Sequence, residues 1–382
     1  MSRRILMLNS DKKRITHLLR SREGIDLAVI SRHEYRDLYS DLDFEGVDDL
    51  RDLTQVAAAA RRIASRGGLS AVLAPTEKSI VPAAWVRALL GIGGPGPDEA
   101  LRLTHKYAMK STLARAGTPV APFAMVTCPD ELSDVAERIG WPVVVKPVSG
   151  SGANGTYRVE DRKQLEELRR DWNLDAVVTS VGIQVEGAVE IESEFHCDAV
   201  VREGTVRFAA VFRYTHPVLL GPATVGSRLL PVQDPMNDEL SALLERVVDA
   251  IGISDAVVHL EVFSTPHGTV VGEITARPGG AGVRQVVKSA CGIDVWEEFV
   301  NAALGDKDPD GPGERAVGAF GWQRVTTDRA AAAEIERMPG VLEVYLEGGL
   351  PDDGMYSVAC QSGDIQALDA LTRRVLDKGR TR

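Results

Sequence analysis

The sequence of 382 residues is poor in cysteine: its four, Cys128, Cys197, Cys291 and Cys360, are far apart and form no CxxC pair. A disulfide framework or a paired-cysteine zinc site is therefore not expected, and free thiols of a reducing cytoplasm are. Basic charge is in deficit. Lys plus Arg number 44 against 55 Asp plus Glu, a net charge of −11. That argues against the clustered basic footprint of a nucleic-acid binder, while a local basic cleft for a nucleotide stays open. No apolar run approaches the roughly 20 residues that span a bilayer. The start, Met1 to Asn9, is basic and then apolar, but too short for a signal segment, and Asp11 follows at once. It reads as a first strand. A cytoplasmic protein with no membrane or nucleic-acid partner is expected. No internal repeat is present, no Gly-Lys-Ser/Thr opens a helix, and the glycines after Lys146 do not lead into a helix as those of a dinucleotide site do.

What is present is alternation. Buried-strand patterns at 4–8, 26–30 and 70–74 are interleaved with helical spacing at 12–20 and 56–64. This predicts a parallel, doubly wound α/β unit over residues 1–97, closed by the Gly/Pro-dense joint at 91–97. A helix capped by Asp98 and carrying Arg102, His105 and Lys106 is expected next. The block to residue 182 reads as strand, helix 129–139, strand 143–146, glycine loop, strand, helix 162–172 and strand 176–179. Strands dominate 183–274, interrupted by a helix at 238–251. An Asp/Pro/Gly-rich loop at 306–314 precedes a small α/β appendage over 313–382.

Residues 259–280 are the most informative stretch. Alternation over 257–263 and 269–274 around Pro266-His267-Gly268 predicts a β-hairpin holding Glu261 and Glu273 over one point. Adjacent carboxylates repel unless a proton or a cation is shared. A hard divalent ion with oxygen ligands, completed by substrate phosphates, answers this, and Arg277 faces the same phosphates. Solvent-facing acids on a plain hairpin are the bland alternative. Pro278-Gly279-Gly280, which ends the strand and lets backbone approach a ligand, weighs against it.

The second stretch is 142–156. A buried strand ends on Lys146, and a loop follows with Ser149, Gly150, Ser151, Gly152, Asn154, Gly155 and Thr156. Glycines let successive backbone N–H groups converge on an anion, and the lysine adds a point charge. Between the two stretches, 183–198 is crowded with acids.

In this order, lysine, lysine plus glycine loop, acidic hinge, Glu, then Glu-x-x-x-Arg, residues 1–300 resemble the ATP-grasp superfamily. Within it, Gly272 to Gly280 look most like the ending found in carboxylate–amine ligases that include L-amino acid ligases. The resemblance implies a lid subdomain over 98–182 and a catalytic antiparallel-sheet subdomain over 183–312, with ATP trapped between them. It implies ATP phosphates on Lys106 and Lys146 under the loop 149–156, and adenine at the hinge Ala188, Val189 and Glu190. Glu194 would hold the ribose, Glu261 and Glu273 would bind Mg²⁺ (or Mn²⁺), and Arg277 would steady the transferred phosphate. Thr275 stands where many members carry a metal-binding Asn, which leaves the number of metal ions open.

The activity implied is ATP-dependent amide or peptide bond formation through an acyl phosphate, releasing ADP and phosphate. Small-molecule carboxylate and amine substrates, amino acids among them, and a possible homodimer go with it. Substrate contacts are expected from His216, Ser227 and Arg228 in the irregular stretch 213–231, and from Arg284. For Arg284 a surface salt bridge is the equal alternative, and for His216 a structural role is the bland one. Two other functions stay open: a carboxylase-type or purine-pathway member activating bicarbonate or formate, and a non-catalytic nucleotide-binding regulator.

Overall fold

The computed structural model describes residues 3–9, 13–150, 155–171, 174–221, 223–306, 315–350 and 353–380. Unbroken apolar runs build the first sheet. It comprises β1 (Arg3–Leu8), β2 (Ile25–Arg32), β3 (Asp43–Val47) and β4 (Ala71–Leu73), parallel throughout in the order β3-β2-β1-β4. Ile5, Leu6, Met7 and Leu8 are all fully buried, so both faces of β1 are covered. Helices Leu53–Ser65 and Glu77–Leu90 pack on one face. Helices Val283–Cys291 and Val295–Leu304, from much later in the chain, pack on the other.

Two elements here had no counterpart in the pattern, β3 and the helix Glu77–Leu90. The first is half exposed. The second contains Pro82 and buries Ile80, Pro82, Ala83, Ala84 and Val86, leaving no polar stripe to read. It begins just past the carboxyl end of β4, with Thr76 and Ser79 exchanging cap hydrogen bonds. Crevices outside strand carboxyl ends are where open α/β sheets bind ligands.

The joint carries two helices, Pro97–Arg102 and Lys106–Arg115, where one was expected. Gly96 is the N-cap instead of Asp98, with Pro97 at the first helical position, where its missing N–H costs nothing. His105 caps the second helix by accepting the Ala108 N–H on Nδ1.

A second, antiparallel sheet joins β5 (Phe123–Val126), β6 (Val143–Pro147), β7 (Tyr157–Val159) and β8 (Ile183–Gly187) in the order β5-β8-β6-β7. The strand expected at 176–179 is instead part of the helix Leu174–Val181. Leu174 and Val178, one turn apart, both bury into this layer's core, which overrides the β-branched run. Because β8 belongs to this sheet, the crossing to the main sheet falls after Gly187, not at residue 183.

The main sheet has eight strands. They are β9 (Ser193–Arg202), β10 (Thr205–Tyr214), β11 (Gly226–Leu229), β12 (Ala256–Thr265), β13 (Gly268–Thr275), β14 (Ala319–Thr327), β15 (Val341–Leu350) and β16 (Asp353–Ser362). Their order is β13-β12-β9-β10-β11-β14-β16-β15. The expected appendage after 313 is therefore continuous with the catalytic sheet, since β14 pairs directly with β11. One face packs on the helix Met236–Ile251 and on Met109 and Leu113. The opposite face, near β12 and β13, is polar. No helix among the described residues is long and apolar enough to cross a membrane.

Candidate active site

The register of β12 and β13 sets Glu261 opposite Glu273 and His259 opposite Thr275. Residues two apart on a strand share a face, so these four point to one side. On the neighbouring β9, His196 stands opposite Glu261 and Asp198 opposite His259. A polar row thus crosses three strands, backed by the apolar side chains of the other face.

The cations arrive from other layers. Lys106 Nζ donates to Glu273 Oε1 and to the Gly150 carbonyl, each at 2.8 Å. Burial disfavours its charge, but the surrounding acids, Glu273 first, outweigh that and raise its pKa. Lys146, at the end of β6, stands 2.7 Å from Glu186 Oε1. The fully buried Lys110 donates to Glu186 Oε2 at 2.9 Å. Burial alone would raise the Glu186 carboxyl, yet the two ammonium groups hold it at about 2. Burial pushes Lys110 down.

Arg277 comes from the turn after β13, and its Nη2 lies 3.4 Å from Glu77 Oε2 on the N-terminal domain. Burial, then the Glu273 charge, lift Glu77 to about 7 against the pull of Arg277 and Lys106. Glu194 Oε2 accepts the Val218 N–H at 2.9 Å, and burial followed by Glu261 pushes it to about 8. His259 is opposed by burial, but Asp198 and Glu261 outweigh it and raise it to about 10.

These groups surround one cavity of about 780 Å³ between the second sheet and the polar face of the main sheet. Lys106, Lys146, Gly150, Thr156, Ala188, Val189, Glu190, Glu194, Glu261, Glu273 and Arg277 all line it. Ser149 forms a β-bridge with His105, and Gly155 adopts the left-handed φ of +68° that a tight loop needs. Ser151, Gly152 and Asn154 fall outside the described residues. The Ala188 N–H is already given to the Pro142 carbonyl at 3.0 Å, so this hinge position does not offer a donor to a base.

The family with this arrangement is identified by comparison. The ATP-grasp domain family matches residues 111–291. An L-arginine-specific L-amino acid ligase of Bacillus subtilis is 34% identical over 399 aligned residues, covering 97% of this chain and 96% of that protein. This chain is an ATP-grasp ligase. An N5-carboxyaminoimidazole ribonucleotide synthase of Mycobacterium bovis is 26% identical over 236 residues, 59% of the ligase chain and 52% of that protein. Among solved structures, an L-amino acid ligase from Bacillus licheniformis superposes with a TM-score of 0.79 at 18% identity, covering 99% and 98% of the two chains. A carboxyaminoimidazole ribonucleotide synthase from Aspergillus clavatus complexed with ATP gives 0.79 at 16% identity, covering 99% of each. At these identities the solved structures show the shared fold alone.

Three residues lining the cavity of the ligase were not singled out from its sequence, Glu77, Glu186 and His259, and neither was Lys110, the buried partner of Glu186. Lys110 follows Lys106 by one helical turn, a spacing that places both on one face. His259 precedes Glu261 by one strand period. Glu77 carried no signal, because its approach depends on how the first domain packs.

The substrate candidates are placed elsewhere. His216 and Arg228 line a second cavity of about 740 Å³ that shares Glu194 and Pro217 with the first. His216 Nε2 donates to the Gly221 carbonyl at 3.1 Å, bracing its own loop. Arg228 is committed: Nε to Asp369 at 2.9 Å, Nη2 to Thr372 at 2.6 Å, and Nη1 to the Ser227 and Trp322 carbonyls. It fastens the helix Ile365–Arg380 to the sheet, which corrects its expected substrate role. Ser227 is fully buried with Oγ 2.8 Å from His196 Nε2, facing inward instead of toward a substrate. Arg284 lines neither cavity and pairs with Asp294, the cap of the helix Val295–Leu304, at 2.8 Å. The salt-bridge alternative is the one observed.

The donors presented by Glu261, Glu273 and Thr275 are all oxygen, and Thr275 Oγ1 is buried with no hydrogen-bond partner among the described residues. A hard divalent ion takes such a set, so the residues fit Mg²⁺. In the nearby His196–Asp198–His259 group each imidazole gives its Nδ1 proton to Asp198, which makes it a hydrogen-bonded chain.

Proposed function

We propose that this ligase joins the carboxyl group of an amino acid to the amine of a second small substrate in the cavity between Lys106, Lys146, Glu261, Glu273 and Arg277. The convergence of these five side chains, drawn from three layers of the fold, carries the proposal. Mg²⁺, with Mn²⁺ as a substitute, would be held by Glu261 and Glu273 with Thr275 beside them, and supplies charge neutralisation for the phosphates when bound. Glu194 and the backbone of Val189 and Glu190 would hold the nucleoside.

In the first step a substrate carboxylate oxygen bonds to the γ-phosphorus while the bond to the bridging oxygen breaks, giving an acyl phosphate and ADP. Phosphoryl transfer asks mainly for alignment and charge stabilisation. Lys106, Lys146 and Arg277 provide both with no side-chain nucleophile. In the second step the amine nitrogen bonds to the acyl carbon, phosphate leaves with the bonding pair, and the nitrogen loses a proton. Glu77 suits the last task. Its Oε1 is buried without a hydrogen-bond partner among the described residues, and a pKa of about 7 places it near the operating pH of a general base. The acyl phosphate hydrolyses readily, so water must be kept out of the cavity that Gly150 and Thr156 line together with Lys106 and Lys146.

The name of the Bacillus subtilis relative makes arginine the first carboxylate to try. The test is ADP and phosphate release over pairs of amino acids with Mg²⁺. Release that needs both an amino-acid carboxylate and an amine is expected. Release that needs bicarbonate instead would move the protein to the carboxylating branch, and ATP binding with no turnover on any pair would make it a regulator.

A further inference from the structure

Asp198 lies in the middle of β9 and has no solvent exposure. Both of its oxygens are committed. Oδ1 accepts the Gly279 backbone N–H at 3.0 Å and the His259 Nδ1–H at 3.1 Å. Oδ2 accepts the His196 Nδ1–H at 2.7 Å. Two of these donors belong to the phosphate end of the cavity. Gly279 sits two positions after Arg277, in the turn that follows β13. His259 sits two positions before Glu261, and its Nε2 stands 3.6 Å from Glu261 Oε1. The fit is close: a Cβ on residue 279 would come within 2.3 Å of Asp198 Oδ1 and 3.0 Å of His259 Nδ1. Glycine is required there for approach, not for backbone dihedrals.

We propose that Asp198 is the positioning residue for the phosphate end of the site, fixing the Arg277 turn against the strand that carries Glu261. The inference rests on the proposed function. β9 is an inner strand, paired on both sides by β12 and β10, and so is a rigid anchor. Within the turn, the Pro278 carbonyl accepts from Arg277 Nη1 at 3.1 Å and the Gly280 carbonyl accepts the Val283 N–H at 3.3 Å. Its tie to β9 is the Gly279 N–H given to the charged Asp198 acceptor. Displacing a charge contact by about 1 Å costs roughly 100-fold in rate, so a small slip of this turn is felt at the reacting phosphate. Asparagine has the same shape but cannot accept from all three donors. Its amide NH₂ would meet one of them donor to donor.

The test uses the full chain with two variants that break the same contact from opposite sides, Asp198→Asn and Gly279→Ala. Measured are kcat and KM for ATP by ADP release, Mn²⁺ affinity in the presence of ADP by electron paramagnetic resonance, and thermal melting. Each variant is expected to lower kcat by about 10- to 100-fold and to weaken Mn²⁺ binding, with KM for ATP within about threefold. The double variant should be no worse than the worse single one, because the two changes share one contact. A folded Asp198→Asn with wild-type kcat and Mn²⁺ affinity overturns the inference. So does failure of both variants to fold, since Asp198 would then hold the domain and not the site. If the wild type itself binds no Mn²⁺ with ADP, the proposed function fails first and the inference falls with it.

Discussion

Lys106 Nζ stands 2.8 Å from Glu273 Oε1, joining residues 167 positions apart across the mouth of the helix Lys106–Arg115. The contact couples a phosphate-binding cation to one of two acids that share a strand register. Glu273→Gln keeps the volume and removes the charge. Activity at saturating Mg²⁺ should fall at least ~100-fold, the scale for losing one preorganised charge contact. Melting should change little, because Glu273 is only partly buried. A Mg²⁺ titration of ADP release checks this, and an unchanged Mg²⁺ dependence would refute the metal role.

Lys146 and Lys110 share Glu186 but should fail differently. Lys146→Ala leaves Glu186 paired with Lys110, so the chain stays folded and turnover drops by about 100-fold. Lys110→Met removes the fully buried partner, and breaking a buried pair costs about 3–5 kcal/mol. Denaturant unfolding beside steady-state kinetics separates a catalytic loss from a stability loss.

Thr275 Oγ1 lies on the face of the acid pair with no hydrogen-bond partner among the described residues. An amide oxygen is a better hard-ion ligand than a hydroxyl. Thr275→Asn is therefore expected to lower the Mg²⁺ concentration for half-maximal activity by a few-fold. Equilibrium Mn²⁺ binding provides the independent check, and weaker binding would show that the space at Thr275 is not shaped for a ligand.

Glu194 is pushed to about 8 by burial and by Glu261. In the unfolded chain a glutamate ionises near ~4.3. Between those values the folded state binds more protons, so stability is full below the lower one and is lost as pH rises through about 8. Glu77, at about 7, acts in the same direction. The melting temperature of the ligand-free protein should fall from about pH 5 to pH 8, and Glu194→Gln should flatten the upper part of that slope. A slope unaffected by the substitution would count against the buried acid.

The hairpin, the strand ending on Lys146, the hinge acids and the parallel first sheet were all legible along the chain. Each is a local pattern: an alternation of period two, a glycine cluster, an apolar run buried on both faces. The pairing of Glu261 with Glu273 needed more than the turn at Pro266 to Gly268: that turn's register alone would oppose Glu261 to Gly272, and a bulge between Glu261 and Val262 shifts it by one residue. Contacts between layers were not legible. Glu77 reaches Arg277 only because the first sheet packs its helix Glu77–Leu90 against the turn after β13. Lys110 meets Glu186 through the seating of the second sheet, and Arg228 meets Asp369 because β14 continues the sheet begun at β9. Local order decides which groups share a face. Which faces meet depends on burying apolar surface over the whole chain, a sum that no short window contains.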